Sequence, residues 1–348
     1  MSYDEKNYSR GISRVLIDPH VPNVFRYYYN DDPTRPVSEV DLMRIKRLAL
    51  PPAWVDVWIS QDPNDHIQAM GKDTKGRKQY KYHQSHVDTA IKLKFARLRN
   101  FISSLKQLVR VLNRDKKLPY YSKNKIIGSM IMMIQRYHFR IGKEVYARTN
   151  KSYGISSLRK KHVHIKNGDI YLRFKGKSNQ NLTYKITDAY FVEVIMKLLD
   201  LPGDKLFQYT DDDDDSKIKG ITEVDLNHYI QSAIGNQFTI KDFRTLGSNL
   251  YYIQALLDIT KKTTKTRKQP NASVSILSQK QIKDNLKQAL TKTSDHLKHT
   301  ANVAKKSYVM AMIVELYQTN PAYFIINQDK TADELLSELL DLYTASLD

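Results

Sequence analysis

Five side chains in this sequence have the types that phosphoryl chemistry needs, and each sits in a distinctive local context. Arg140 lies in Phe139-Arg140-Ile141-Gly142-Lys143, Lys177 in Phe174-Lys175-Gly176-Lys177, and Arg244 in Asp242-Phe243-Arg244-Thr245-Leu246-Gly247. His299 and Tyr308 follow nearer the C-terminus. Three cations, an imidazole and a phenol are the parts required to break and remake a phosphodiester without metal. A tyrosine hydroxyl of ordinary pKa is only about one part in a thousand ionised at pH 7, a deficit of roughly 4 kcal/mol that cationic neighbours can offset. An attacked phosphodiester gathers charge on its non-bridging oxygens, which two guanidiniums are shaped to clamp. Arg140 and Arg244 are the candidates for that clamp. His299 can donate to one of the same oxygens, and Lys177 can protonate the departing sugar oxygen. The product, a phosphotyrosyl enzyme, keeps the energy of the broken bond, so religation needs no ATP.

Each residue also has a plainer reading. Tyr308 is one of 23 tyrosines, and a tyrosine on an apolar helix is usually core. Lys177 alone reads as a surface turn lysine, the arginines as ion-paired or phosphate-positioning residues, and His299 as a polar helix-end residue. The order Arg, Lys, Arg, His, Tyr, with Lys on a β turn and the others on helices, is more specific than any member.

The elements that must position these residues fall into two parts. After an unpatterned start, residues 37–48 carry apolar residues at helical spacing behind Ser38, a candidate N-cap, and Pro51-Pro52 stops them. Residues 54–59, 66–70 and 78–83 read as strands separated by turn-forming runs. From about Asp88 long helices take over, over 89–113 and 122–137. Lys166-Asn167-Gly168-Asp169 is a hairpin signal between strands 162–165 and 170–174, and 181–186 completes a three-stranded meander. That places Lys177 on an exposed turn. Helices are expected over 189–199, 223–233, 241–257, 278–290 and 308–317, and from Thr331, whose Glu334 completes a capping-box pattern. Residues 261–271 read as a basic linker, and the five aspartates 211–215 as a solvated loop without metal-binding geometry. The expected fold class is α+β: a small β-rich domain over residues 1–87 and a larger, mainly helical domain over 88–348 that carries the meander.

The formal charge of +19 is uneven, 17 of the excess positive charges lying in 88–348. Such asymmetry points to a polyanionic partner, with nucleic acid the first candidate. No run approaches the roughly 18 apolar residues of a membrane span, and the polar start is not a signal peptide, so a soluble intracellular protein without a membrane partner is expected. The absence of cysteine excludes disulfides, thiolate nucleophiles and Cys-ligated zinc. No metal or organic cofactor is expected.

The ordered five residues, together with Gly71-Lys72-Asp73-Thr74-Lys75-Gly76-Arg77-Lys78-Gln79-Tyr80-Lys81-Tyr82, resemble the small type IB DNA topoisomerases of poxviruses, giant DNA viruses and some bacteria. The likeness runs from about Leu50 to beyond Glu315. The resemblance implies a monomeric two-domain clamp around duplex DNA, a catalytic fold shared with tyrosine recombinases, and supercoil relaxation through a 3′-phosphotyrosyl intermediate on Tyr308. It makes Lys75, Arg77, Gln79, Tyr80 and Tyr82 DNA-contact candidates on a strand in the major groove. Lys143, Tyr146, Lys241 and Asn249 join them from positions near the catalytic arginines. It also admits a viral setting, in the virion or the infected-cell cytoplasm. Lys298 and Ser178 stand where the poxvirus pattern has Gly and Asp, which bears on sequence preference.

Two rivals remain. Tyrosine recombinases share nearly the same five residues, but usually carry His at the position of Lys241 and have a helical N-terminal domain. A non-enzymatic DNA-binding or packaging protein would explain the charge and the aromatics but not the ordered five.

Overall fold

The computed structural model describes residues 10–18, 20–21, 23–211, 214–265 and 277–345. The chain divides into two compact units, Met1–Lys94 and Phe95–Asp348.

The first unit is a five-stranded antiparallel sheet built from β1 (Ile12–Leu16), β2 (Phe25–Tyr29), β3 (Val55–Ile59), β4 (Ile67–Lys72) and β5 (Lys78–Tyr82), in the order β2-β1-β3-β4-β5. Helix α1 (Glu39–Leu48) begins where expected: the Ser38 hydroxyl accepts from the Asp41 amide at 3.1 Å. Its Ile45 joins Ile12, Tyr29, Val57, Ile59 and Ala69 in the unit's core. The two strands before α1 correct the reading of an unpatterned start. Their alternation is disguised because Arg14, 7 % exposed, points inward. Its Nη2 donates to the carbonyls of Pro51 (3.0 Å) and Trp54 (2.7 Å). An inward charge whose donors meet backbone carbonyls breaks the hydrophobic pattern while keeping the strand.

Helix α2 (Gln84–Asp115) begins in the first unit and ends in the second. The second unit continues with α3 (Lys123–Tyr137), whose Ile126, Ile127, Met130, Ile131, Met133 and Ile134 are all buried, and α4 (Glu144–Asn150). The meander follows as β6 (Val163–Lys166), β7 (Asp169–Lys175) and β8 (Asn181–Ile186), in the order β6-β7-β8. Its first turn has Asn167 and Gly168 both at positive φ, 52° and 78°, the two-residue geometry whose twist matches antiparallel strands.

Then come α5 (Ala189–Asp200), the hairpin β9 (Gln208–Asp211) and β10 (Asp214–Gly220), α6 (Glu223–Ile234) and α7 (Ile240–Lys265). Asp211, at the end of β9, and Asp214 and Asp215, at the start of β10, therefore lie on strands and not in a loop: Asp211 pairs with Asp214 in register and with Lys219 as an ion pair. Residues 212 and 213 lie outside the described residues. Likewise α7 continues through Lys265, into what reads as linker; the rest of that linker, from residue 266, lies outside the described residues.

The chain closes with α8 (Gln279–His296), capped by Ser278 and Gln281, the short α9 (Ala301–Val303), α10 (Ala311–Thr319), α11 (Pro321–Ile326) and α12 (Ala332–Ala345). The Thr331–Glu334 capping box is present, each side chain meeting the other's backbone amide. The buried Tyr317 hydroxyl ties α10 to α7 and α8 through Thr260 (2.6 Å) and Asn285 (2.8 Å). No helix among the described residues is long and apolar enough to cross a membrane.

Candidate active site on helix α7

Helix α7 supplies Arg244 and Asn249, and these two side chains organise the site. Arg244 is 4 % exposed. Its Nη1 donates to the carbonyl of His138 and its Nη2 to the carbonyl of Leu297 at 2.9 Å. His138 lies two residues before Arg140, and Leu297 two residues before His299. One guanidinium thus fixes the backbone leading into two other members of the set. The buried Arg244 Nε has no hydrogen-bond partner among the described residues. With five N–H donors, the group retains Nε–H and one hydrogen on each Nη after these bonds.

Arg140 is not on a helix, as the sequence reading had it. α3 ends at Tyr137, where His138 adopts a left-handed conformation (φ 56°), and the chain runs without regular secondary structure through Arg140 to α4, with Gly142 at φ 83°. The Arg140 carbonyl accepts from the Ile155 amide at 2.9 Å. Gly154 packs so close that a Cβ there would lie 2.5 Å from the Gly142 nitrogen and 2.6 Å from the Arg140 oxygen. The Arg140 side chain is half-buried. Burial, and then the Arg244 charge, lower its pKa, while Tyr308 and Tyr184 act in the opposite sense.

His299 is also off-helix, in the turn after α8, where Lys298 takes φ 54°. Its ring is 7 % exposed and lies parallel to the Tyr308 ring, 6° between planes and 5.2 Å between centroids. Neither ring nitrogen has a hydrogen-bond partner among the described residues. Burial first, then the charges of Arg244 and Arg140, pull its pKa down to about 4, which keeps the imidazole neutral near pH 7. A neutral imidazole can donate one N–H to an anion.

Tyr308 ends a π-helical turn, Ala304–Tyr308, closed by the Val309 amide on the Ala304 carbonyl at 3.0 Å. It precedes α10 and does not lie on it. The ring is half-buried, with the Arg244 guanidinium carbon 5.7 Å from its centroid. Asn249, expected among the DNA contacts, is instead fully buried. Its Nδ2 donates to the Tyr308 carbonyl at 3.1 Å and its Oδ1 accepts from the Met310 amide at 2.9 Å. With both ends of the amide engaged by the backbone around Tyr308, the side chain is a clamp on that segment.

Arg140, Arg244, His299 and Tyr308 thus come together, only Arg244 on an α-helix. Lys177 is exposed, at the β7–β8 turn, in a single 3₁₀ turn with Ser178 at φ 60°. Its strand is tied towards Arg140 by a short relay: the Tyr153 amide donates to the Lys175 carbonyl at 2.7 Å, and Ile155, two residues on, bonds the Arg140 carbonyl.

The remaining candidates are surface residues. Lys75 is exposed on the β4–β5 turn, while Arg77 and Gln79 both reach the Asp73 carboxylate, at 2.6 and 3.0 Å. That bonding, led by the Arg77 side chain, holds the Asp73 carboxyl down to about 2. Tyr80 and Tyr82, 40 % and 43 % exposed on the edge strand β5, stack with centroids 6.0 Å apart. They stand outside the core. Lys143, Tyr146 and Lys241 are exposed beside the site's segments. The His138 and Leu297 carbonyls were not legible in the sequence, because a backbone acceptor has no residue-type signal.

A family model described as the catalytic core of eukaryotic DNA topoisomerase I matches residues 82–323, and one described as the N-terminal domain of bacterial DNA topoisomerase IB matches residues 24–73. The chain belongs to the type IB DNA topoisomerases. Within that family, a DNA topoisomerase 1B of Acanthamoeba polyphaga mimivirus is 48% identical over 345 residues, covering 99% of this chain and 98% of the relative. The DNA topoisomerase I of Monkeypox virus and the DNA topoisomerase 1B of Vaccinia virus (strain Copenhagen) are each 24% identical over 285 residues, 80% of this chain and 81% of theirs.

Proposed function

We propose that the protein relaxes supercoiled duplex DNA by cutting and resealing one strand through Tyr308, without ATP or metal. The observation that carries this reading is the convergence of Arg140, Arg244 and His299 on one phenol, in a chain of the type IB family. The Tyr308 oxygen, its proton passed to solvent water, attacks a backbone phosphorus. The bond from phosphorus to the 5′ oxygen breaks, Lys177 supplies the proton that makes a free 5′-hydroxyl, and the 3′ phosphate stays on Tyr308. Arg140 and the free Arg244 donors meet the charge gathering on the non-bridging oxygens, and His299 adds a neutral N–H. Religation is the reverse: the 5′-hydroxyl attacks and the phenol leaves.

In this reading the residues 1–87 domain grips DNA with Lys75, Arg77, Gln79, Tyr80 and Tyr82, and the 88–348 domain adds Lys143, Tyr146 and Lys241. One chain suffices as a clamp, because relaxing one duplex needs no partner strand exchange. The catalytic arrangement is that of a tyrosine recombinase, while the sheet of the first unit differs from the helical clamp usual in that group. The viral relatives favour a viral setting.

Incubation with supercoiled plasmid in EDTA and without ATP tests the proposal. Relaxation is expected, and Tyr308→Phe should bind DNA yet form no covalent adduct. Retardation without relaxation would leave a binding protein; exchange between plasmids at a defined sequence would make it a recombinase.

A further inference from the structure

The site contains a second phenol that the chemistry above does not use. Tyr184 lies on β8, where the alternation turns Leu182, Tyr184 and Ile186 inward. The residue is 8 % exposed; its ring centroid lies 4.1 Å from that of Phe139, and it stacks at 11° on Phe174, 5.8 Å away. Phe139 adjoins Arg140, and Phe174 lies on the strand that leads to the Lys177 turn. The two rings therefore hold Tyr184 against the segments that carry two of the site's cations. Its hydroxyl interacts electrostatically with both Arg140 and Arg244. A phenylalanine would fill the same aromatic stack, so packing does not account for the hydroxyl.

We propose that Tyr184 is a further catalytic residue, whose hydroxyl donates a hydrogen bond to a non-bridging oxygen of the scissile phosphate between Arg140 and Arg244. Burial raises the Tyr184 pKa in spite of both neighbouring cations, so this phenol keeps its proton. It acts as a donor and does not compete with Tyr308 as nucleophile. The role rests on the transesterification proposed above.

Tyr184→Phe removes one oxygen and leaves the ring stack intact. With a duplex whose cleavage site is first mapped with the wild-type protein, single-turnover adduct formation should slow about 10- to 100-fold, the range for a hydrogen bond to a charged group. DNA affinity, compared in the Tyr308→Phe background, and the melting temperature should not change. Replacing one non-bridging oxygen by sulfur, a poor acceptor, should slow the wild type more than Tyr184→Phe for one of the two diastereomers. A wild-type rate in Tyr184→Phe overturns the proposal. So does a slower rate accompanied by a lower melting temperature and the same sulfur effect as wild type, which would assign Tyr184 to packing. A wild-type protein that forms no adduct at all overturns the transesterification itself and this role with it, before any substitution is made.

Discussion

The Asn249 side chain donates to the Tyr308 carbonyl at 3.1 Å, and its other end accepts from the Met310 amide at 2.9 Å. One buried amide on α7 therefore sets the backbone on both sides of the residue after the phenol. That amide holds the exit of the π-helical turn that ends at Tyr308, a rare geometry found frequently at functional sites. Arg244, five residues earlier on the same helix, holds the carbonyls that precede Arg140 and His299. Three of the four clustered residues thus take their positions from one helix.

Asn249→Ala should accordingly slow cleavage without removing any group from the phosphate, and should destabilise the fold by ~1–3 kcal/mol, the cost of leaving buried backbone groups unpaired. Asn249→Asp keeps the acceptor for Met310 but sets an oxygen against the Tyr308 carbonyl, so it should be no better. Single-turnover cleavage beside urea unfolding would check both. Wild-type cleavage by Asn249→Ala would show that the clamp is dispensable.

Much of this fold is legible from local signals. The β8 boundaries, the Asn167-Gly168 turn and the caps at Ser38 and Thr331 follow from strand alternation and short-range bonding that sequence displays directly. The site residues were legible by type and order, but their backbone setting was not. Arg140 and His299 leave their helices at His138 and Lys298, non-glycine residues in the left-handed region that nothing in a one-dimensional pattern announces. Lys298 occupies this conformation where the poxvirus pattern has glycine, which enters it without steric cost. The inward Arg14 hid β1 for a similar reason: its carbonyl partners lie some 36 to 40 positions away in sequence.

Acid should weaken the fold through histidines that are buried or half-buried. Burial leads the causes that bring His138, His162 and His299 down to about 4, with cationic or histidine neighbours adding to it. Each binds its proton less readily folded than unfolded, where the value is near 6.5. Their contribution to stability is therefore complete above about pH 6.5, and is lost as the pH falls through about 4. Urea midpoints measured from pH 7 to pH 4 should fall, and His299→Asn should fall less steeply, by about one proton's worth of slope. Equal slopes for the two proteins would show that His299 titrates normally.

Gly154 is a steric requirement of the Arg140 segment. A methyl group there meets backbone on two sides, the Gly142 nitrogen and the Arg140 oxygen, and neither can rotate away. Gly154→Ala should cost ~1–3 kcal/mol, as overpacking does, and should lower cleavage by displacing Arg140. The same substitution at Gly168, which has nothing within 4 Å, should leave cleavage unchanged, although its positive φ strains the turn. Thermal melts with cleavage assays on both variants would separate the two effects, and equal cleavage by both would remove Gly154 from the site's support.

Lys177 is the member of the set whose role most needs a chemical test, because it is exposed on its turn while the other four are buried or half-buried. The Tyr153 and Ile155 amides link its strand to the Arg140 backbone, so the turn has a defined place relative to the clamp. If its ammonium protonates the departing 5′ oxygen, Lys177→Ala should cleave ordinary DNA slowly, by the ~10²–10⁴-fold that general acids contribute. A substrate with sulfur at that bridging position expels a thiolate, which needs no proton to leave. The variant should then cleave near the wild-type rate, while Arg140→Ala should stay slow on the same substrate, because its loss falls on the non-bridging oxygens. A Lys177→Ala protein that the sulfur fails to rescue would make Lys177 a phosphate ligand, and the proton for the leaving oxygen would have to come from another group.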